Sequence, residues 1–258
     1  SVHMQPLMEK LEEDFTVYAI DLAGFGDSSY NRQLDSLYDF SQDLTNFIKD
    51  LDLRNIHLLG WSTGGGVVLE TAADVPKRVK KVFLLSSVGI KGYPMYKKDA
   101  TFQPILSERI YKREDVAADP VQVLPVVRAL EAKNAIFMKT LWDTTIYTRV
   151  RPSYSDYKKY LEAMLKQRNL VDVDVALTTF NMTDSSNGVV DGSGRINKIT
   201  APVVILHGER DIVVPIKFAE ETKEAFGSQA SLIEFKGLGH SIITDDLEAL
   251  TKAIYENL

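Results

Sequence analysis

Apolar positions along this chain follow two rhythms. Short apolar runs rich in β-branched residues occupy Phe15–Ile20, Ile56–Leu59, Lys81–Leu85, Val203–His207 and Leu232–Phe235, and they stop at glycine or polar turns. Such runs predict buried strands. Between them the apolar residues recur at helical spacing. Pro6 to Leu11 reads as the end of a short amphipathic helix. Leu37, Phe40, Leu44, Phe47, Ile48 and Leu51 follow Ser36, which stands three residues before Asp39 in a capping-box pattern. Val67–Ala73, Ile216–Phe226 and Asp245–Leu258 complete the helical set. Strand and helix thus alternate. This predicts an α/β fold, a mostly parallel central sheet flanked by helices on both faces.

The alternation stops after Gly89. From about Lys91 to about Arg195 no convincing buried strand is visible. Asp119-Pro120 opens one helix, and Pro152-Ser153 precedes another that runs through Tyr157, Tyr160, Leu161, Met164 and Leu165. The pattern predicts a core made of residues 1–90 and 196–258, with residues 91–195 inserted as a helical lid over the sheet edge.

Composition narrows the function classes. A chain of 258 residues is long enough for one large domain or a core with an inserted subdomain. With 45% hydrophobic and 26% charged residues it has the make-up of a soluble globular protein. A formal net charge of −6 invites neither nucleic acid nor an anionic membrane surface. Cysteine is absent, so disulfides, thiol nucleophiles and cysteine-based zinc sites are excluded. No apolar run reaches membrane-spanning length and no signal-peptide core is visible, which makes a cytoplasmic location the default expectation.

The strongest chemical signal is Gly60-Trp61-Ser62-Thr63-Gly64, directly after one predicted strand and before a helix. A sharp strand-to-helix reversal holds the serine in a strained backbone conformation, and glycines two before and two after it are expected to remove colliding side chains. The serine oxygen then stands clear beside the helix N-terminus. Ser62 is therefore the candidate nucleophile, and it needs a base. Of four histidines, His57 lies inside a strand and His207 ends one, which suits structural roles; His3 is too close to the terminus to interpret. His240 sits in the loop Gly237-Leu238-Gly239-His240-Ser241, which can lay an imidazole over the serine. The orienting acid is expected at Asp211, just past the strand ending at His207, with Glu209 as its rival. Asp245 and Asp246 read as helix N-cap and first-turn residues.

Taken together, these segments resemble the α/β-hydrolase family, in its lid-bearing esterase-like group. The resemblance rests on Asp21-Leu22-Ala23-Gly24-Phe25-Gly26-Asp27-Ser28, Gly60-Trp61-Ser62-Thr63-Gly64-Gly65, Leu206-His207-Gly208-Glu209-Arg210-Asp211 and Gly237-Leu238-Gly239-His240. The order Ser62, Asp211, His240 is the family's order. It implies a serine hydrolase that cleaves a small or medium hydrophobic carboxylic ester through an acyl-enzyme. The backbone N–H of Thr63 would serve in the oxyanion hole, and no cofactor or metal is expected. Asp27 and Ser28 are expected to brace a loop. The family usually carries a His-Gly loop before the first core helix, and this chain begins at that helix. The expectation is an N-terminally incomplete stretch of a longer chain, with the second oxyanion donor upstream of Ser1.

Trp61 and Trp142 are expected to bind substrate, with other aromatic residues of the insertion lining an apolar pocket. The same triad and lid also serve carbon–carbon bond hydrolases, lactonases and non-catalytic small-molecule receptors, which remain alternatives. A small-molecule substrate is the expected partner, with neither nucleic acid nor membrane; the oligomeric state stays undetermined.

Overall fold

The computed structural model describes residues 1–258. Its strands are β1 (Ile56–Trp61), β2 (Val79–Leu85), β3 (Met95–Lys98), β4 (Pro104–Ile110), β5 (Val203–Gly208) and β6 (Ala230–Phe235). A parallel sheet runs β1-β2-β5-β6, and β3 and β4 form a separate antiparallel pair. Leu59 lies opposite Phe83, Leu84 opposite Ile205 and Leu206 opposite Ile233.

Helices α1 (Gln5–Leu11), α2 (Leu37–Asp50) and α3 (Thr63–Asp74) precede β2. Between β2 and β5 stand α4 (Arg113–Ala117), α5 (Leu124–Glu131), α6 (Ala135–Thr145), α7 (Tyr154–Met164) and α8 (Leu170–Thr179). Helices α9 (Ile216–Phe226), α10 (Ile242–Asp245) and α11 (Leu247–Tyr255) complete the chain. None is long and apolar enough to cross a membrane.

Both faces of the sheet are covered, which explains why its strands read as continuous apolar runs rather than alternating ones. Val82 and Leu84 face a cluster of 28 buried residues that includes Phe40 and Ile48 of α2, Val67 of α3 and Ala219 and Phe226 of α9. Phe83 and Leu85, one step along the same strand, enter a cluster of 11 with Leu7 of α1 and Leu250 and Ile254 of α11. The capping box before α2 is formed: Ser36 Oγ accepts from the Asp39 amide at 3.1 Å, and Asp39 Oδ2 accepts from the Ser36 amide at 2.9 Å. Behind α3, the Arg195 guanidinium pairs with buried Glu70 and, at 2.7 Å, with Asp74. Burial raises the Glu70 carboxyl above its ordinary pKa, against the pull of that guanidinium.

One expectation is corrected. Phe15–Ile20 is not a buried strand. It is extended, with Phe15, Val17 and Ala19 half-buried and Tyr18 and Ile20 exposed, and it joins no ladder. An apolar run becomes a strand only where a neighbour takes its N–H and C=O groups. Here residues 15–20 line the same cavity as β1, and although the Phe15 ring packs against His57, no backbone bond joins them to the free edge of β1.

Residues 91–195 hold no buried strand, but they carry an exposed hairpin beside their helices. The hairpin β3–β4 buries only Met95 and Ile110 at its open end, while Lys97, Ser107 and Glu108 face solvent. A hairpin covered on so little of one face leaves no apolar run to detect.

The insertion is fastened to the core. Asp172 of α8 accepts from Arg113 Nη1 at 2.5 Å, from the Leu34 amide at 2.9 Å and from the Tyr30 hydroxyl at 2.7 Å. On the core loop, Ser28 Oγ donates to the Asp21 carbonyl at 2.5 Å and exposed Asp27 pairs with Lys166 at 2.7 Å.

Candidate active site

The turn between β1 and α3 carries Ser62 at φ +55° and ψ −122°, a combination non-glycine residues rarely hold. The surrounding backbone fixes it. The Ser62 amide donates to the Leu85 carbonyl at 3.0 Å, and the Ser62 carbonyl accepts from Val88 at 3.1 Å and Gly65 at 3.0 Å. Thr63 opens α3, so its amide belongs to the donors that a helix N-terminus leaves without an intrahelical partner.

The steric part of the glycine expectation is half right. A Cβ at Gly60 would stand 2.2 Å from the Gly64 carbonyl oxygen, so the turn closes only over glycine. At Gly64 a Cβ would meet nothing within 4 Å. The second close approach is at Gly65, where a Cβ would fall 1.8 Å from Ser87 Oγ.

The loops after β5 and β6 bring the other two residues together. They cross so closely that a Cβ on Gly208 would lie 2.2 Å from the Gly239 carbonyl oxygen. The Arg210 amide donates to the Leu238 carbonyl at 2.8 Å, locking one loop to the other. His240 Nδ1 then meets Asp211 Oδ2 at 2.7 Å, with both residues buried. Asp211 is itself oriented, because its Oδ1 accepts from the amides of Val213 and Val214, each at 2.9 Å. Such a carboxylate holds an imidazole in the tautomer that leaves Nε2 free as a base.

The remaining candidates have other partners. Glu209 is a loop brace: it accepts from the Gly237 amide at 2.8 Å, which holds its carboxyl below the usual range. His207 Nε2 bonds the Val214 carbonyl at 2.7 Å, and burial lowers its pKa. His57 packs edge-on to Phe15 at 6.1 Å. Asp246 caps α11 by accepting from Ala249 at 2.9 Å. Asp245 does not share that role. It sits in α10 and accepts from the Gly239 amide at 2.7 Å and the Val150 amide at 3.0 Å, so it ties the His240 loop to the insertion.

Ser62, Thr63 and His240 line one cavity of about 1020 Å³, roofed by α6 and α8 of the insertion and mostly apolar. Trp61 and Trp142 also line it, with ring centroids 6.4 Å apart. Trp61 Nε1 donates to the His240 carbonyl at 3.0 Å, so this tryptophan supports the imidazole from below as well as forming a wall. His3, unreadable in the sequence, joins the two tryptophans and Tyr160 in an aromatic group, and burial pushes its pKa down to about 4. Of the insertion's other aromatic and methionine side chains, Tyr93, Met138 and Met164 reach the cavity. Phe102 and Tyr154 are exposed, and Tyr147 and Phe180 pack into the interior.

A parallel sheet flanked by helices, with a serine on a strained strand-to-helix turn, defines the α/β-hydrolase class. Among its families, the model described as serine aminopeptidase, S33, matches residues 1–247, and the chain belongs to that family. A Mycobacterium bovis protein described as uncharacterized is 26% identical over 246 residues, 92% of this chain and 65% of that protein. This chain thus spans about two thirds of the length of that relative. A pimeloyl-[acyl-carrier protein] methyl ester esterase of Nitrosomonas europaea is 24% identical over 239 residues, covering 91% of this chain and 82% of the esterase. Among solved structures, an esterase from Exiguobacterium antarcticum superposes with a TM-score of 0.71 at 19% identity, over 99% of this chain and 86% of its own.

Proposed function

We propose that this protein is a serine esterase acting on small or medium hydrophobic carboxylic esters, with Ser62 as nucleophile, His240 as general base and acid, and Asp211 as orienting carboxylate. The observation that carries the reading is the 2.7 Å Asp211–His240 contact at the wall of the cavity that Ser62 also lines. The esterase names among the relatives and structural neighbours favour ester hydrolysis over other acyl transfers.

On this reading His240 Nε2 takes the Ser62 proton as the serine oxygen attacks the ester carbonyl carbon. The resulting oxyanion is met by the Thr63 amide at the positive end of α3. The carbon–oxygen bond to the alcohol breaks, and the alcohol leaves with the proton from His240. Water then attacks the acyl-enzyme by the same route, releasing the acid and restoring Ser62. Residues 91–195 act as a lid, and Trp61 and Trp142 form substrate walls. No step calls for a metal or an organic cofactor.

The test is turnover of p-nitrophenyl acetate, butyrate and octanoate. Wild-type protein should hydrolyse at least the butyrate, and Ser62→Ala should lose roughly 10³-fold or more with its thermal unfolding intact. Equal turnover in the two proteins overturns the assignment.

A further inference from the structure

Helix α8 forms part of the cavity roof, and its sequence Leu170–Thr179 is apolar apart from threonines at its end and two aspartates. The two aspartates meet different fates. Asp172 is saturated by Arg113, Leu34 and Tyr30. Asp174, about 200° further round the helix, lines the cavity that Ser62 and His240 line, and forms no hydrogen bond and no ion pair.

Its neighbourhood offers no cation. Leu170, Val173 and Leu177 of its own helix, Val126 of α5 and Tyr93 share the cavity wall with it. The only charge that presses on it is Asp119, which adds negative potential although Lys98 pairs with it at 2.9 Å. Arg113, the cation of neighbouring α4, is spent on Asp172 and Asp35. Asp174 is half-buried, with the cavity on its open side, and burial together with Asp119 raises its pKa to about 7. Both observations describe a carboxylate held in an apolar pocket without a counter-ion, a costly arrangement unless something supplies one.

We propose that Asp174 is the specificity-determining residue of the substrate cavity and that it pairs with a cationic amine carried by the substrate. The inference deepens the esterase reading and rests on it for the word substrate. The apolar wall takes the hydrocarbon part of the molecule, and the carboxylate takes the ammonium group. An ammonium near Asp174 supplies the counter-charge that no side chain provides there. A neutral chain of the same length gains only the apolar contacts.

The probes are hexylammonium chloride and hexan-1-ol, at pH 8.0, with wild-type protein and Asp174→Asn. Calorimetry should show hexylammonium binding at least ten-fold more tightly to wild type than to the variant, and hexan-1-ol binding the two alike. With p-nitrophenyl butyrate as reporter, hexylammonium should inhibit competitively, with an inhibition constant shifted by the same factor. Equal hexylammonium affinity in the two proteins overturns the proposal, as does inhibition that is not competitive. If the ester is not hydrolysed but the calorimetric difference stands, the esterase reading fails and the amine site survives. If the ester is hydrolysed without any hexylammonium preference, the amine site fails alone.

Discussion

The sheet core and the insertion solve different problems. In the core, one contiguous cluster of 28 buried residues and a second of 11 hold Ser62, Asp211 and His240 on the ends of β1, β5 and β6. Residues 91–195 lend Val173, Ala176, Phe180 and Met182 to the larger cluster through α8 and the stretch after it, but otherwise pack in clusters of only five, four and four, pinned to the core through Asp172, Lys166 and Asp245. Geometry that must hold to fractions of an ångström is built where packing is continuous. The surface proposed to select substrate is built where packing is more divided, and small clusters allow such a surface to vary.

This contrast can be broken from either side. The largest effect is expected in the core, at Asp211→Asn. With the Oδ2 acceptor gone, His240 adopts the wrong tautomer, and ester turnover should fall about 10⁴-fold while the fold survives. Glu209→Gln should change turnover by less than about three-fold, since that carboxylate bonds Gly237 and not the imidazole. Rates measured side by side decide the acid, and the opposite ranking would move the role to Glu209.

Next in size is a packing effect. Arg195→Ala strips the partner from buried Glu70 behind α3, and denaturant titration at pH 7.5 should show a loss of about 3 kcal/mol. A loss below about 1 kcal/mol would show that the α3 side of the core does not depend on that ion pair.

A smaller effect, and one of opposite sign, is expected in the insertion. Because the folded-state pKa of Asp174 is raised to about 7, the folded chain binds its proton more tightly than the unfolded chain. The Asp174 contribution therefore weakens the protein as pH rises from about 4 through 7. Asp174→Asn should raise the thermal midpoint by a few degrees at pH 8.5, with a lesser gain at pH 5. An equal gain at both pH values would contradict the buried-carboxylate account. Trp142→Ala should act least on stability and more on KM than on kcat, since the ring lines the cavity beside Trp61 and makes no hydrogen bond to Asp211 or His240.

Much of the core was legible in the sequence because its signals are local. The strand-to-helix context of Ser62, the capping box at Ser36 and Asp39, and the loop placement of Asp211 and His240 are each written within a few neighbouring residues. What stayed hidden depends on long-range partners. Phe15–Ile20 has strand composition, but its ladder partner is not a local property. The β3–β4 hairpin buries too little to leave a pattern. The need for glycine at position 65 comes from Ser87, more than twenty residues away, and Asp245 reaches back across the sequence to Val150. Asp174 had a faint signal, an acid in an apolar helical stretch, but only the fold shows that Asp172 beside it is paired and Asp174 is not.

The central claim is that Ser62, held in its strained turn, is the nucleophile of this cavity. It is tested most directly by incubating the protein with a fluorophosphonate and mapping the adduct by peptide mass spectrometry. The account predicts one phosphonyl group per chain, on the peptide containing Ser62, and none on Ser62→Ala or after prior acid unfolding. Labelling of another residue, or labelling that persists in Ser62→Ala, would contradict it.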